Sequence, residues 1–127
     1  MRIAIDTNRY VDFARGVPEA VERLQRADEI FVPFVVLGEL RAGFAGGTRS
    51  RENEANLVRF LNGRRVDVVF ADEETTNHYG RLFHQLRRQG TPIPTNDLWI
   101  AALVVQHELH LFARDAHFDH LPQIPRL

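Results

Sequence analysis

Short β-branched apolar runs alternate with longer segments of helical period along this chain, and that alternation restricts the possible folds more than any other feature. Ile3-Ala4-Ile5 reads as a buried strand stopped by the polar Asp6-Thr7-Asn8. Residues from Tyr10 to Ala14, and from Pro18 to Ala27, have helical character, with Gly16 as a stop and Pro18 suited to a first turn. Ile30-Phe31-Val32 is a second strand. Val35, Val36, Leu37, Leu40 and Phe44 then keep a helical spacing until Gly46-Gly47 breaks it. A helix from Ser50 to Leu61 leads to a third strand, Val66 to Phe70. Asp72 is placed to cap a long helix from Glu73 to Gln89, which Gly90 closes. Thr95 or Asn96 is placed to cap the next helix, Asp97 to His107, whose apolar residues run nearly all round and so predict burial. Leu109, Leu111 and Phe112 make a fourth strand, and Ile124 to Leu127 offer a short last one. Strands separated by helices imply an α/β fold with a parallel sheet of four to five strands. Its ligand site is expected beyond the carboxyl ends of those strands.

A length of 127 residues allows one domain, 1–127, around one hydrophobic core. No stretch approaches the roughly 18 consecutive apolar residues of a membrane span, and the N-terminus meets Asp6 too soon for a signal peptide. A cytoplasmic protein with no membrane segment is the expectation. The absence of cysteine excludes disulfides, thiolate nucleophiles and Cys-containing zinc sites, so any metal must sit on oxygen or imidazole. A net charge of -1 gives no overall attraction to nucleic acid, yet all 16 basic residues are Arg. Arginine grips phosphate with two donors, so local clusters remain able to hold RNA, although a bias in Arg usage explains the same count.

The carboxylates carry the chemical information. Asp6 and Asp115 end apolar strands, Glu39 lies in an apolar helix, and Asp97 opens a buried one. Taken singly, Asp6 reads equally as a cap for the helix that follows, Asp97 as a first-turn acid facing the helix dipole, and Glu39 as a partner of Arg41. Taken together they would repel: at about 4 Å and an effective dielectric near 20, two carboxylates repel by roughly 4 kcal/mol. Such a cluster is tolerable with a cation or with raised pKa values, and neutralising one member, Asp97 for instance, should ease the metal-free fold. Oxygen ligands suit Mg²⁺ or Mn²⁺, which serve phosphodiester hydrolysis.

At this point the sequence resembles a known family. Asp6-Thr7-Asn8, Glu39 within Leu37-Gly38-Glu39-Leu40-Arg41-Ala42-Gly43, Asn96-Asp97-Leu98-Trp99-Ile100-Ala101-Ala102, and Arg114-Asp115-Ala116-His117-Phe118 look like the four signatures of PIN-domain ribonucleases of the VapC toxin type, in the family's order. The resemblance covers essentially the whole chain. It implies a three-layer α/β/α sandwich, Mg²⁺ or Mn²⁺ at Asp6, Glu39, Asp97 and Asp115, endonucleolytic RNA cleavage, a homodimer, and a cognate VapB-type antitoxin as partner. Thr7, Asn8 and Asn96 are implied as supporting neighbours of the acids. One position departs from the pattern: Ala113 stands where the family often has Thr or Ser, which makes Asp119 a substitute for Asp115. Two other readings stand beside the toxin: a PIN nuclease of RNA processing without an antitoxin, and a catalytically silent PIN-like binding module.

The remaining polar features are weaker. His107-Glu108-Leu109-His110 lacks the spacing of a helical zinc site and reads as surface loop. His117 and His120 are a weak zinc pair without a third ligand, and His78 and His84 are expected to be exposed. Arg81 and Arg88 share a helical face with His84 and are candidates for RNA contact, as is Arg64-Arg65, against the blander reading of a solvated face. Tyr10 and Phe13 suit either base stacking or core packing.

Overall fold

The computed structural model describes residues 1–127 and contains four strands and six helices. Strand β1 (Arg2–Ile5) leads into helices α1 (Thr7–Ala14) and α2 (Pro18–Arg26). Strand β2 (Glu29–Pro33) is followed by α3 (Phe34–Ala45) and α4 (Ser50–Leu61), and β3 (Val66–Val69) by α5 (Glu73–Gln89) and α6 (Thr95–Gln106). Strand β4 (His110–Phe112) ends in a 3₁₀ turn, Ala116–His120. All pairings are parallel and the strand order is β3-β2-β1-β4, so helices cover the sheet in a three-layer α/β/α sandwich.

The expected elements are all present except the last strand. Ile124 to Leu127 contributes a single bridge, Leu111 to Arg126, because Pro125 has no N–H to donate and only its carbonyl joins the edge of β4. The sheet therefore has four strands. Helix α1 begins three residues earlier than its apolar pattern implies, at Thr7, because Asp6 caps it. Phe70 falls outside β3 and is exposed.

A buried cluster of 27 residues forms the core. Ile3, Ala4 and Ile5 are almost completely inaccessible, as parallel strands covered on both faces must be. Helix α6 buries Leu98, Ile100, Ala101, Ala102, Leu103 and Val104, which accounts for its lack of a polar face, and packs along α5 and against α3. Among the helices, none is long and apolar enough to cross a membrane.

Helix α5 shows how local signals set an element's ends. The Asp72 carboxylate accepts the Thr75 N–H while the Thr75 hydroxyl accepts the Asp72 N–H, a reciprocal capping box. At the other end Gly90 adopts φ 72°, and its N–H reaches back to the last carbonyls. A Cβ there would meet nothing within 4 Å, so substitution costs only backbone strain. Gly90→Ala is expected to destabilise the fold by about 1 kcal/mol, measured by urea unfolding. An unchanged midpoint would mean that the helix end relaxes freely.

Candidate functional site

The crevice of an open parallel sheet lies where neighbouring strands send the chain in opposite directions. Here that point is between β1 and β4: from β1 the chain proceeds to β2 on one side, while β4 lies on the other. Asp6 ends β1 and Asp115 follows β4, so the switch point receives both carboxylates.

Asp6 is only 5% exposed. Its carboxylate accepts the Thr7 N–H at 2.7 Å and caps α1, so the capping reading of this residue is correct as far as it goes. A cap alone does not require burial. Desolvation, the largest cause, together with the charges of Asp97, Glu39 and Asp115 pushes the Asp6 carboxyl up to about 6 against the lowering effect of the Thr7 bond. All four acids therefore share one electrostatic environment.

Glu39 is held from α3 by the Thr7 hydroxyl, which donates to its Oε1 at 2.8 Å. Pairing with Arg41 does not occur: Arg41 turns to Glu54 on α4 and binds it with Nε and Nη2, each at 3.0 Å. Among the ion pairs Glu39 has no cation.

Asp97 is buried in the first turn of α6. The helix enters through Pro94 with no side-chain cap, so neither Thr95 nor Asn96 plays the capping role expected from sequence. Burial raises the Asp97 carboxyl above its ordinary value, while a hydrogen bond to His117 pulls it down and the charges of Asp115 and Glu39 push it up. His117 Nδ1 lies 2.7 Å from Asp97 Oδ2 and 2.9 Å from Asp115 Oδ1. The bond to Asp97 raises the imidazole above its ordinary value, with both negative charges contributing in the same direction.

Asp115 caps the 3₁₀ turn by accepting the His117 N–H at 2.9 Å. No hydroxyl is available at Ala113, but the same loop is gripped through its backbone. Arg126 Nη2 donates to the carbonyls of Ala113 at 2.9 Å and Asp115 at 3.2 Å. Arg114 reaches back to α1, with its Nε 3.0 Å and Nη2 3.2 Å from the two Asp12 oxygens, and Arg9 also meets Asp12. These ties attach the Asp115 loop to the helix that Asp6 caps. Asp119 does not join the cluster, because Arg126 holds its carboxylate at 2.7 Å.

Several expected neighbours lie elsewhere. Asn8 and Asn96 are exposed and make no side-chain hydrogen bond; each occupies the second position of its helix, directed to solvent. Arg81, His84 and Arg88 are exposed on α5 without an ion pair, the arrangement of a solvated face. Arg65 donates to the carbonyls of Leu24 and Ala27, a structural contact, whereas Arg64 is exposed. His78 is half-buried beside Glu74, not exposed. Leu109 is buried, so the segment His107 to His110 is only partly surface. Tyr10 and Phe13 pack with Phe60. Tyr10 also lines a cleft of about 610 Å³ that runs from Thr7 and Glu39 past Arg15, Arg49 and Asn53.

The residue that sequence reasoning missed is His117. The available signal was its position two residues after a strand-ending Asp, where a capped turn folds the side chain back over the cap.

Known proteins share this chain's sequence pattern and fold. The PIN domain family matches residues 3–124. Ribonuclease VapC1 of Haemophilus influenzae is 31% identical over 121 residues, covering 87% of this chain and 89% of its own. Ribonuclease VapC4 of Mycobacterium tuberculosis is 28% identical over 93 residues, covering 73% and 72%. Among solved structures, VapBC-1 from nontypeable Haemophilus influenzae superposes with a TM-score of 0.87 at 25% identity, covering 100% of this chain and 97% of that one. The sequence match extends from β1 through the Asp115 turn, and on these grounds the chain belongs to the PIN-domain family, in its VapC branch.

Proposed function

We propose that this chain is the toxin of a VapBC-type pair, an endoribonuclease that hydrolyses RNA phosphodiester bonds with Mg²⁺ or Mn²⁺ held by Asp6, Glu39, Asp97 and Asp115. The observation that carries the reading is a buried Asp6 whose carboxyl feels the charges of Glu39, Asp97 and Asp115, acids drawn from separate parts of the chain. Burying like charges is unfavourable unless a cation compensates them. The donor set fits a hard divalent cation: carboxylate oxygens, no thiol, and a glutamate without a cationic partner. Such a cation, when bound, neutralises the scissile phosphate and makes a bound water more acidic.

The chain's own residues supply the rest. Asp6, buried and raised by its neighbours' charges when no cation is present, is the acid whose charge a bound cation would relieve most. Thr7 holds two acids at once, Asp6 through its N–H and Glu39 through its hydroxyl. Thr7→Val keeps the shape and the N–H but loses the hydroxyl, and is expected to lower activity about tenfold, while Thr7→Ser retains it. Equal rates for Val and Ser would remove Thr7 from the site's support. The cleft beside Glu39, with the unpaired Arg15 on its wall and Arg49 held by Glu52, offers a cation for the phosphates of a single strand.

A VapB-type antitoxin is the expected partner, with an Arg or Lys reaching the carboxylates. A homodimer is the expected assembly. Support for the antitoxin comes from structural neighbours that are VapBC complexes, including one from Rickettsia felis bound to a promoter DNA fragment. The test is cleavage of synthetic single-stranded RNA by purified protein with Mg²⁺ or Mn²⁺, and its loss in chelator or on addition of a VapB-type antitoxin. Full cleavage in chelator would overturn the metal assignment, and failure with every RNA offered would favour a silent binding module.

A further inference from the structure

We propose that His117 is a ligand of the same metal site, so that the centre is a mixed oxygen and nitrogen site in place of a purely carboxylate one. The inference rests on the metal reading above and adds a donor to it.

The carrying observation is the spacing of donor atoms. His117 Nδ1 lies 2.7 Å from Asp97 Oδ2 and 2.9 Å from Asp115 Oδ1. One ligand atom from each of the three residues lies within 4.8 Å of the others. In an octahedral shell with metal–ligand bonds of about 2.1 Å, adjacent donors are separated by roughly 3 Å. The imidazole nitrogen is thus one octahedral edge from each of two acids.

The ring is not needed to hold the turn. The backbone N–H of His117 already donates to Asp115 Oδ1 at 2.9 Å, so the cap survives without the side chain. The imidazole is 44% exposed and packs into no core, which makes a purely structural role weak. Without metal Nδ1–H donates to the carboxylates; a bound cation would take that proton's place, with the ring's remaining proton on Nε2 and the Nδ1 lone pair facing the ion. His120, on the same turn, is exposed and makes no side-chain contact with the acids, and so serves as a control.

An imidazole donor changes metal preference. Carboxylate-only sites suit Mg²⁺, whereas nitrogen favours later first-row ions such as Co²⁺. The full chain, stripped with chelator and reloaded with Mn²⁺, is expected to show nitrogen hyperfine coupling from a coordinated imidazole in pulsed EPR. That coupling should vanish in His117→Ala and persist in His120→Ala. By titration calorimetry, His117→Ala should weaken Co²⁺ binding about tenfold or more and Mg²⁺ binding less. Mn²⁺ bound without nitrogen coupling in the unmutated chain would overturn the proposal and leave the carboxylate site standing. An unchanged ratio of Co²⁺ to Mg²⁺ affinity in His117→Ala would also overturn it. A chain that binds none of these ions would overturn both readings together.

Discussion

Asp6→Asn, Glu39→Gln, Asp97→Asn and Asp115→Asn are each expected to reduce RNA cleavage on the order of 100-fold or more with the fold intact. The magnitude follows from supporting residues of metal ligands, whose loss alone costs about 10- to 100-fold; removing a ligand should cost at least as much. The four changes are nearly isosteric. An Asn at position 6 still offers an amide oxygen to the Thr7 N–H, and a Gln at 39 still accepts the Thr7 hydroxyl. An Asn at 115 can still cap the 3₁₀ turn. What each loses is negative charge. Asp119→Asn is the informative contrast, since that side chain is engaged with Arg126 outside the cluster, and its cleavage should be close to unmutated. Gel assays with Mg²⁺ and Mn²⁺, beside circular dichroism for the fold, make the comparison. If Asp119→Asn proved inactive and Asp115→Asn active, the assignment of the fourth acid would be wrong.

Much of this arrangement was legible because strand ends and helix caps are local signals. A β-branched run stopped by Asp6 and an apolar Leu-Phe run followed by Asp115 place two acids at strand ends in any parallel sheet. Asp72 and Gly90 similarly mark both ends of α5. The errors lie where long-range contacts decide. Asn8 and Asn96 were expected beside the acids, but α1 starts at Thr7 and α6 at Thr95, and those starts turn each Asn to solvent. Ala113 suggested a weakened fourth acid; nothing in its neighbourhood reveals that Arg126, from the chain's last residues, grips the loop carbonyls instead. The same Arg withdraws Asp119. His117 was hidden for a related reason: paired with His120 by spacing, it belongs in space with Asp97, twenty residues earlier.

The metal-free protein is expected to become more stable when Asp6 is neutralised. The electrostatic burden was anticipated at Asp97, but there the His117 hydrogen bond offsets part of it, whereas Asp6 has only the Thr7 N–H. The Asp6 carboxyl is pushed up to about 6 in the fold, against the ordinary 3.8 of an aspartate in the unfolded chain. The folded state therefore holds the extra proton between those values. Its contribution is fully present below the unfolded value and lost as pH rises through the folded one. His117, also raised, acts with the same sign, since the stability of its charged form fades as pH climbs through its folded value. For Asp6 alone a shift of this size corresponds to about 3 kcal/mol. In chelator near pH 7.5, Asp6→Asn should thus melt above the unmutated chain by on the order of 10 °C, and the difference should shrink toward pH 4. Mg²⁺ or Mn²⁺ near one thousand times Kd should reverse the order, because binding to the folded form alone then stabilises the unmutated chain by about 4.1 kcal/mol, more than the burden at Asp6, and the variant gains less. Thermal melts across pH, with and without metal, read both effects. A variant clearly less stable in chelator at every pH, with the same gain from metal, would make Asp6 a helix cap and nothing more.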